Sequence, residues 1–256
     1  MNGLQNKTAL VTGSSRGIGR AIATRLARDG ALVAVHYATN GDAAAQTVAL
    51  IENAGGSAFL VRAELGEPDA VSELSAALEM ELETRTGTAR LDILVNNAAH
   101  AGFDEMAPEE VTPEIFDRFI AVNAKAPFFL AQRALKLMSS GGRIINISSG
   151  ITRTSHPGQT VYAISKAAME QITVQLARHI GPREITINTV AAGVTNNGSL
   201  IFSNPQAVAE MAAWSAIGRV GEVADIADVV GFLASDDARW ITGAYLDVSG
   251  GILAGR

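Results

Sequence analysis

The stretch Thr8-Ala9-Leu10-Val11-Thr12-Gly13-Ser14-Ser15-Arg16-Gly17-Ile18-Gly19 decides the fold. A short apolar run leads straight into a glycine turn, and the turn opens a helical pattern over 17–29. The glycines are spaced Gly-x3-Gly-x-Gly, not the Gly-x-Gly-x-x-Gly of the commoner dinucleotide fingerprint. The physics is related. Gly13 permits a tight turn, Gly17 a close backbone approach to a pyrophosphate, and Gly19 close packing of the helix on the sheet. The helix N-terminus then turns unpaired N–H groups toward the phosphates. The turn therefore predicts a dinucleotide at the end of the first strand.

Further along the chain the pattern repeats. Apolar runs rich in Val and Ile at 8–11, 32–35, 58–61, 91–95, 143–147 and 186–190 read as buried strands, with a seventh at 244–248. Helical stretches lie between them, among them 17–29, 43–53, 69–83 and 161–179. Such alternation predicts an α/β chain: a Rossmann-like, doubly wound parallel sheet of about seven strands with helices on both faces. One domain over 1–256 is expected, because no linker, repeat or low-complexity segment interrupts the chain. Gly30 and Gly55-Gly56 sit where helix C-terminal caps belong, and the polar stretch at 79–90 extends a helix into a surface loop.

Composition narrows the function. The chain has 256 residues, 48% of them hydrophobic, and a net charge of −6, with no run of Lys and Arg to hold nucleic acid. The absence of cysteine excludes disulfides, thiolate nucleophiles and cysteine-ligated metals. His36, His100, His156 and His179 show no metal-ligand spacing, so no metal is expected. With neither a signal-peptide pattern nor an apolar run long enough to span a bilayer, a cytoplasmic protein is the expectation.

The second strand bears on the cofactor. It ends His36-Tyr37-Ala38-Thr39-Asn40, with no acidic residue before Asp42 to hold the ribose hydroxyls of NAD. Arg16 in the turn suits a 2′-phosphate, and Thr39 and Asn40 add neutral donors, so NADP(H) is expected over NAD(H). Tyr162 and Lys166 lie at i and i+4 of a predicted helix and can share one site. A neighbouring ammonium favours the phenolate, which makes the pair a candidate for moving a proton.

Several further motifs follow in a fixed order: Asn96-Asn97-Ala98-Ala99 after the fourth strand, Val122-Asn123, Ser149 thirteen residues before Tyr162, Gly218-Arg-Val-Gly-Glu, Ile241-Thr-Gly243 and Asp247-Val-Ser-Gly-Gly251. With the Thr12–Gly19 turn and the Tyr162/Lys166 pair, they resemble the short-chain dehydrogenase/reductase family along nearly the whole chain, and 3-oxoacyl-ACP-reductase-like members in particular. The resemblance implies a catalytic tetrad of Asn123, Ser149, Tyr162 and Lys166. It implies cofactor contacts from Gly13, Ser15, Arg16, Gly17, Ile18, Gly19, Tyr37, Thr39, Asn40, Glu64, Leu65, Asn96, Ala98, Tyr162, Lys166, Gly193, Val194 and Thr195. Hydride would pass between the nicotinamide and a carbonyl or alcohol carbon. Tyr162 would then exchange the proton, Lys166 lower its pKa, Ser149 hydrogen-bond the carbonyl oxygen, and Asn123 hold a water that links Lys166 to solvent.

Three positions depart from the family pattern. Ala99 replaces a glycine, Ala192 a proline, and Glu64 an aspartate beside the adenine; none removes a reacting group. The segment at 194–217, with Leu200, Ile201, Phe202, Met211 and Trp214, stands where the family carries a substrate lid. It would cover a small-molecule ketone or alcohol, whether an acyl-thioester β-ketone, a cyclic ketone, a quinone or a diketone. The resemblance also implies a homotetramer, with the helix at 161–179 and the C-terminal strand in interfaces. A non-catalytic NADP-binding sensor is the alternative, but it has no use for all four tetrad groups. Epimerisation or dehydration goes with a larger C-terminal region than this chain has, and a module without cofactor leaves the glycine turn unexplained.

Overall fold

Strand β1 (Thr8–Val11) runs through the middle of a seven-stranded, wholly parallel sheet with order β3-β2-β1-β4-β5-β6-β9. The computed structural model describes residues 3–101 and 106–254. The other sheet strands are β2 (Leu32–Tyr37), β3 (Ser57–Arg62), β4 (Ile93–Asn96), β5 (Arg143–Ser149), β6 (Thr186–Ala192) and β9 (Tyr245–Val248). A two-stranded pair, β7 (Thr195–Asn196) and β8 (Gly221–Glu222), stands apart from it. All seven strands expected from the sequence are present; β2, β3, β5 and β6 are each two residues longer than the apolar runs alone suggest, and β4 and β9 one residue shorter.

Side-chain alternation along the strands divides the interior into two cores. Ala9 and Val11 of β1 face one core, with α1 (Gly17–Arg28), α2 (Gly41–Asn53) and α8 (Val223–Ala234). Leu10 faces the other, with α3 (Ala70–Thr86), α5 (Ala126–Leu137) and α6 (Thr160–Ile180). Burial on both faces explains why the strands read as unbroken apolar runs. Helix α3 reaches Thr86 because Arg85 pairs with Glu81 one turn back, and Gly87, at φ 75°, ends it in the left-handed conformation. Helix α4 (Pro113–Ile120) meets α5 through a π-helical turn over Ala121–Lys125. The π-helical turn and Pro127 interrupt the 3.6-residue period of this stretch.

Strand order reverses between β1 and β4, so the loops beyond their carboxyl ends diverge and leave a crevice there. The glycine turn leaves β1 at this point, Asn96-Asn97-Ala98 leaves β4, and Ser149 ends β5. The segment at 194–217 leaves β6 at the same end of the sheet and holds a short 3-10 turn and α7 (Pro205–Ala212).

Candidate active site

The glycine turn is locked from three sides. Gly13 has φ +64°, and its N–H donates to Nδ1 of His36 at 3.0 Å. Nδ1 is therefore the acceptor, and Nε2–H donates to the Ala63 carbonyl at 3.1 Å. Burial pushes the His36 imidazole down to about 4, against the pull of the Ala63 hydrogen bond. From the β4 side, Asn97 Nδ2 donates to the carbonyls of Thr12 (2.8 Å) and Gly13 (3.2 Å), while Thr12 Oγ1 accepts from the N–H groups of Asn97 and Ala98. From α1, Arg20 donates back to the Ser15 carbonyl at 2.6 Å and across to the Ala43 carbonyl of α2 at 3.1 Å.

A Cβ on Gly19 would lie 2.3 Å from the Gly13 carbonyl oxygen and 2.5 Å from Asn97 Nδ2, so only glycine lets α1 begin this close to the turn. Arg16 occupies the N-cap of α1 without a side-chain cap, and the first turn holds no acidic residue. Its N–H groups are thus left to an anion, and the turn fits a dinucleotide pyrophosphate.

The remaining expected cofactor residues are spread around this turn. Tyr37 ends β2 and packs beside Gly41, and Thr39 is exposed. Asn40 Oδ1 caps α2 by accepting from the Ala43 N–H at 2.9 Å. Glu64 pairs with Arg118 of α4 at 2.7 Å, so its carboxylate already has a partner, and Leu65 is buried. The Asn96 side chain points into the sheet: Nδ2 donates to Asn146 Oδ1 at 2.9 Å, and its own Oδ1 has no hydrogen-bond partner. A Cβ on Gly193 would come within 2.6 Å of Ser249 Cα, and Thr195 Oγ1 donates to the Gly193 carbonyl. The Val194 carbonyl accepts from Gly221.

The four expected catalytic residues converge at the ends of β5 and α6. Lys166 is 2% exposed, and its Nζ donates to the Ile147 carbonyl at 2.8 Å. That nitrogen stands 5.8 Å from the centre of the Tyr162 ring. Burial pushes the Tyr162 phenol up to about 12, while a hydrogen bond with Ser149 pulls it the other way. Burial also pushes the Lys166 ammonium down to about 8, opposed by the charge of Glu170. The sequence leads one to expect the ammonium to depress the phenol. In the structure it faces the ring and the β5 backbone, and desolvation dominates. The phenol is held in its protonated form, which is the form that donates a proton to a carbonyl.

Asn123 lies in the π-helical turn with both side-chain atoms engaged. Oδ1 accepts from the His100 N–H at 2.8 Å, and Nδ2 donates to the His100 carbonyl and to Ser165 Oγ, each at 2.9 Å. Ser165 Oγ in turn donates to the Tyr162 carbonyl at 2.8 Å. The side chain therefore ties the segment after β4 to α6. His100 packs edge-on against Phe119 at 4.7 Å, and Phe119 stands 6.4 Å from Tyr162, so an aromatic row flanks the phenol. Of the segment at 194–217, Leu200 (89%) and Trp214 (57%) are strongly exposed, as are Ile201 and Ile217.

Motif reading missed His36, Arg20, Ser165 and Glu170, which brace the site without belonging to a motif. Alternating burial could have flagged only His36, as a polar residue inside an apolar strand. Among the described residues no His, Asp and Glu cluster is arranged to hold a metal, and no helix is long and apolar enough to cross a membrane.

Residues 13–253 match the family profile described as enoyl-(acyl carrier protein) reductase. The chain belongs to the short-chain dehydrogenase/reductase family. Among solved members, the promiscuous reductase LugOII, which catalyses keto-reduction at C1 during lugdunomycin biosynthesis, is 60% identical. The alignment covers 98% of this chain and 99% of LugOII, with a TM-score of 0.97. The angucycline C-6 ketoreductase LanV with bound NADP is 59% identical over 99% of this chain and 98% of its own, with a TM-score of 0.95. LanV has also been solved with NADP and rabelomycin together. Versicolorin reductase 1 of Aspergillus parasiticus is 39% identical over 97% of each chain. Asn123, Ser149, Tyr162 and Lys166, the residues that the family resemblance points to, stand on or beside a seven-stranded sheet.

Proposed function

We propose that the protein is an NADP(H)-dependent ketoreductase acting on a large, largely apolar ketone of the angucycline type, with Tyr162 as the proton donor. The observation that carries this reading is the seating of Tyr162, Ser149 and Lys166 at the crevice that the glycine turn borders. The nicotinamide, when bound, supplies hydride to the carbonyl carbon. The chain's own residues do the rest. Tyr162 is kept protonated by burial and gives its proton to the carbonyl oxygen as negative charge develops there. The Ser149 hydroxyl stands beside the phenol and steadies that charge. Lys166 re-supplies positive potential from beneath the Tyr162 ring. Asn123 and Ser165 fix the spacing between the β4 loop and the helix that carries the pair.

Three observations support the finer points. The absence of an acid between Tyr37 and Asn40, with Arg16 free at the N-cap, favours the 2′-phosphate of NADP(H). LanV is an angucycline C-6 ketoreductase solved with rabelomycin bound, and LugOII catalyses a keto-reduction at C1 during lugdunomycin biosynthesis. The exposed Leu200, Ile201, Trp214 and Ile217 give the segment at 194–217 an apolar surface suited to covering a flat, bulky substrate. The same reading expects a cytoplasmic homotetramer, and exposed Val174, Phe128, Phe129 and Trp240 are surfaces it would bury. The test is to follow loss of reduced-nicotinamide absorbance with rabelomycin and with an acyl-thioester β-ketone, using NADPH and then NADH. Faster turnover of rabelomycin with NADPH is expected. Preference for the thioester overturns the substrate assignment, and preference for NADH overturns the cofactor assignment.

A further inference from the structure

Three consecutive residues of β5 reach α6. The Ile147 carbonyl accepts from Lys166 Nζ, the Ser148 hydroxyl donates to Glu170 at 2.7 Å, and Ser149 meets Tyr162. The middle contact belongs to no motif. Glu170 is 5% exposed and stands one helical turn beyond Lys166. Its Oε1 accepts from both Ser148 Oγ and Thr152 Oγ1 at 2.7 Å, and its Oε2 pairs with Arg153 at 3.1 Å. Arg153 lies over the ring of Tyr245 in β9 at 4.6 Å, and the Tyr245 hydroxyl is 3.5 Å from Thr152.

We infer that Glu170 is a positioning residue for the proton-donating site: its buried carboxylate is the fixed counter-charge of Lys166 and, by gripping Ser148 and Thr152, the clamp that seats Ser149 between them. This rests on the Tyr162–Lys166 reading above. A carboxylate in this position is a poor device for stability alone, because desolvating a charge offsets most of what its partner returns. Its placement has a chemical consequence. The charged and titratable groups that face it are Lys166 on α6, Arg153 in the turn after β5, and Tyr245 on β9, with Asp247 further along β9. Of these, Lys166 is buried to near exclusion from water, and Arg153 is half exposed and screened. Burial drives the Lys166 ammonium to about 8, and Glu170 is the charge that opposes the drop. Without Glu170 the lysine would surrender its proton at a lower pH, and the positive potential under Tyr162 would go with it.

Two variants of the whole protein separate this role from scaffolding. Glu170→Gln keeps an oxygen for Ser148 and Thr152 and removes the charge. Arg153→Ala leaves the carboxylate and removes the cation that competes for it. Steady-state kcat for ketone reduction with NADPH is measured against pH for both, with circular dichroism as the check on folding. In Glu170→Gln, the limb on which kcat falls with rising pH is expected to move to lower pH, by about one unit. In Arg153→Ala it is expected to move the other way. Limbs that coincide with the wild type in both variants overturn the inference, since a scaffold residue would lower kcat equally at every pH. If Glu170→Gln does not fold, the direction of the Arg153→Ala shift decides alone. A Tyr162→Phe control keeps the two readings apart. Full activity in that control sinks the proton-donor reading, whereas an inactive control beside unmoved limbs sinks only the role of Glu170.

Discussion

The glycine turn at 12–19 and the segment at 194–217 both leave the carboxyl end of the sheet, and they are held in opposite ways. The front of the turn is committed, Gly13 to His36 and Asn97, Thr12 to the β4 loop, and Ser15 to Arg20, while the N–H groups that open α1 stay turned outward. A single methyl at Gly19 would collide with backbone. In the other segment α7 buries no residue at all, and Leu200, Ile201, Trp214 and Ile217 present apolar surface to solvent. The two touch where Gly17 approaches Asn197. A phosphate-binding turn needs one geometry, fixed by dense hydrogen bonding. The proposed substrate cover leaves its apolar surface unspent inside the protein, so it contributes little to the fold.

If that contrast is right, changes in the turn disturb the fold and the cofactor, and changes in the cover disturb only the choice of substrate. Gly19→Ala should have the largest effect. Overpacking against a backbone carbonyl costs about 3 kcal/mol or more, and chemical denaturation should show it together with weakened NADPH binding. Acid comes next. The folded His36 pKa of about 4 lies below the unfolded value of 6.5, so the neutral ring contributes stability that is fully present above 6.5 and lost as pH falls toward 4. Denaturation midpoints between those values should drop by the equivalent of about 2–3 kcal/mol, and a His36→Asn variant should flatten the dependence. Arg16→Ala should weaken NADPH by about tenfold while leaving NADH nearly unchanged in a fluorescence titration. Replacing Trp214 or Ile217 with Ala should have the smallest effect on stability, within about 0.5 kcal/mol. Both should raise KM for a bulky ketone more than for a small one. A large loss of stability in either would show that the cover is part of the core after all.

The same contrast explains what could be read in the chain. Strands and the turn were legible because burial on both faces and positive φ act on residue type locally, as at Val11, Gly13 and Gly30. The Tyr162/Lys166 pair was legible as a spacing, since i, i+4 on a helix is local too, whereas Asn123 and Ser149 entered only through the family resemblance. What Lys166 does was not legible. Whether its nitrogen faces the phenol oxygen or the Ile147 carbonyl depends on how α6 lies across β5. Asn96 turning to Asn146, Glu64 pairing with Arg118, and Glu170 gripping Ser148 are likewise long-range contacts that no local pattern encodes.

The central claim is that Tyr162 gives a proton to a carbonyl that receives hydride from NADPH. The most direct measurement uses NADPH deuterated at the transferring position, with rabelomycin as substrate. Product is analysed by mass spectrometry for the wild type and for Tyr162→Phe, with cofactor binding checked separately. The account predicts deuterium at the new carbinol carbon with the wild type, and turnover lower by about a hundredfold or more with Tyr162→Phe at unchanged NADPH affinity. Labelled product formed at the wild-type rate by Tyr162→Phe would contradict it.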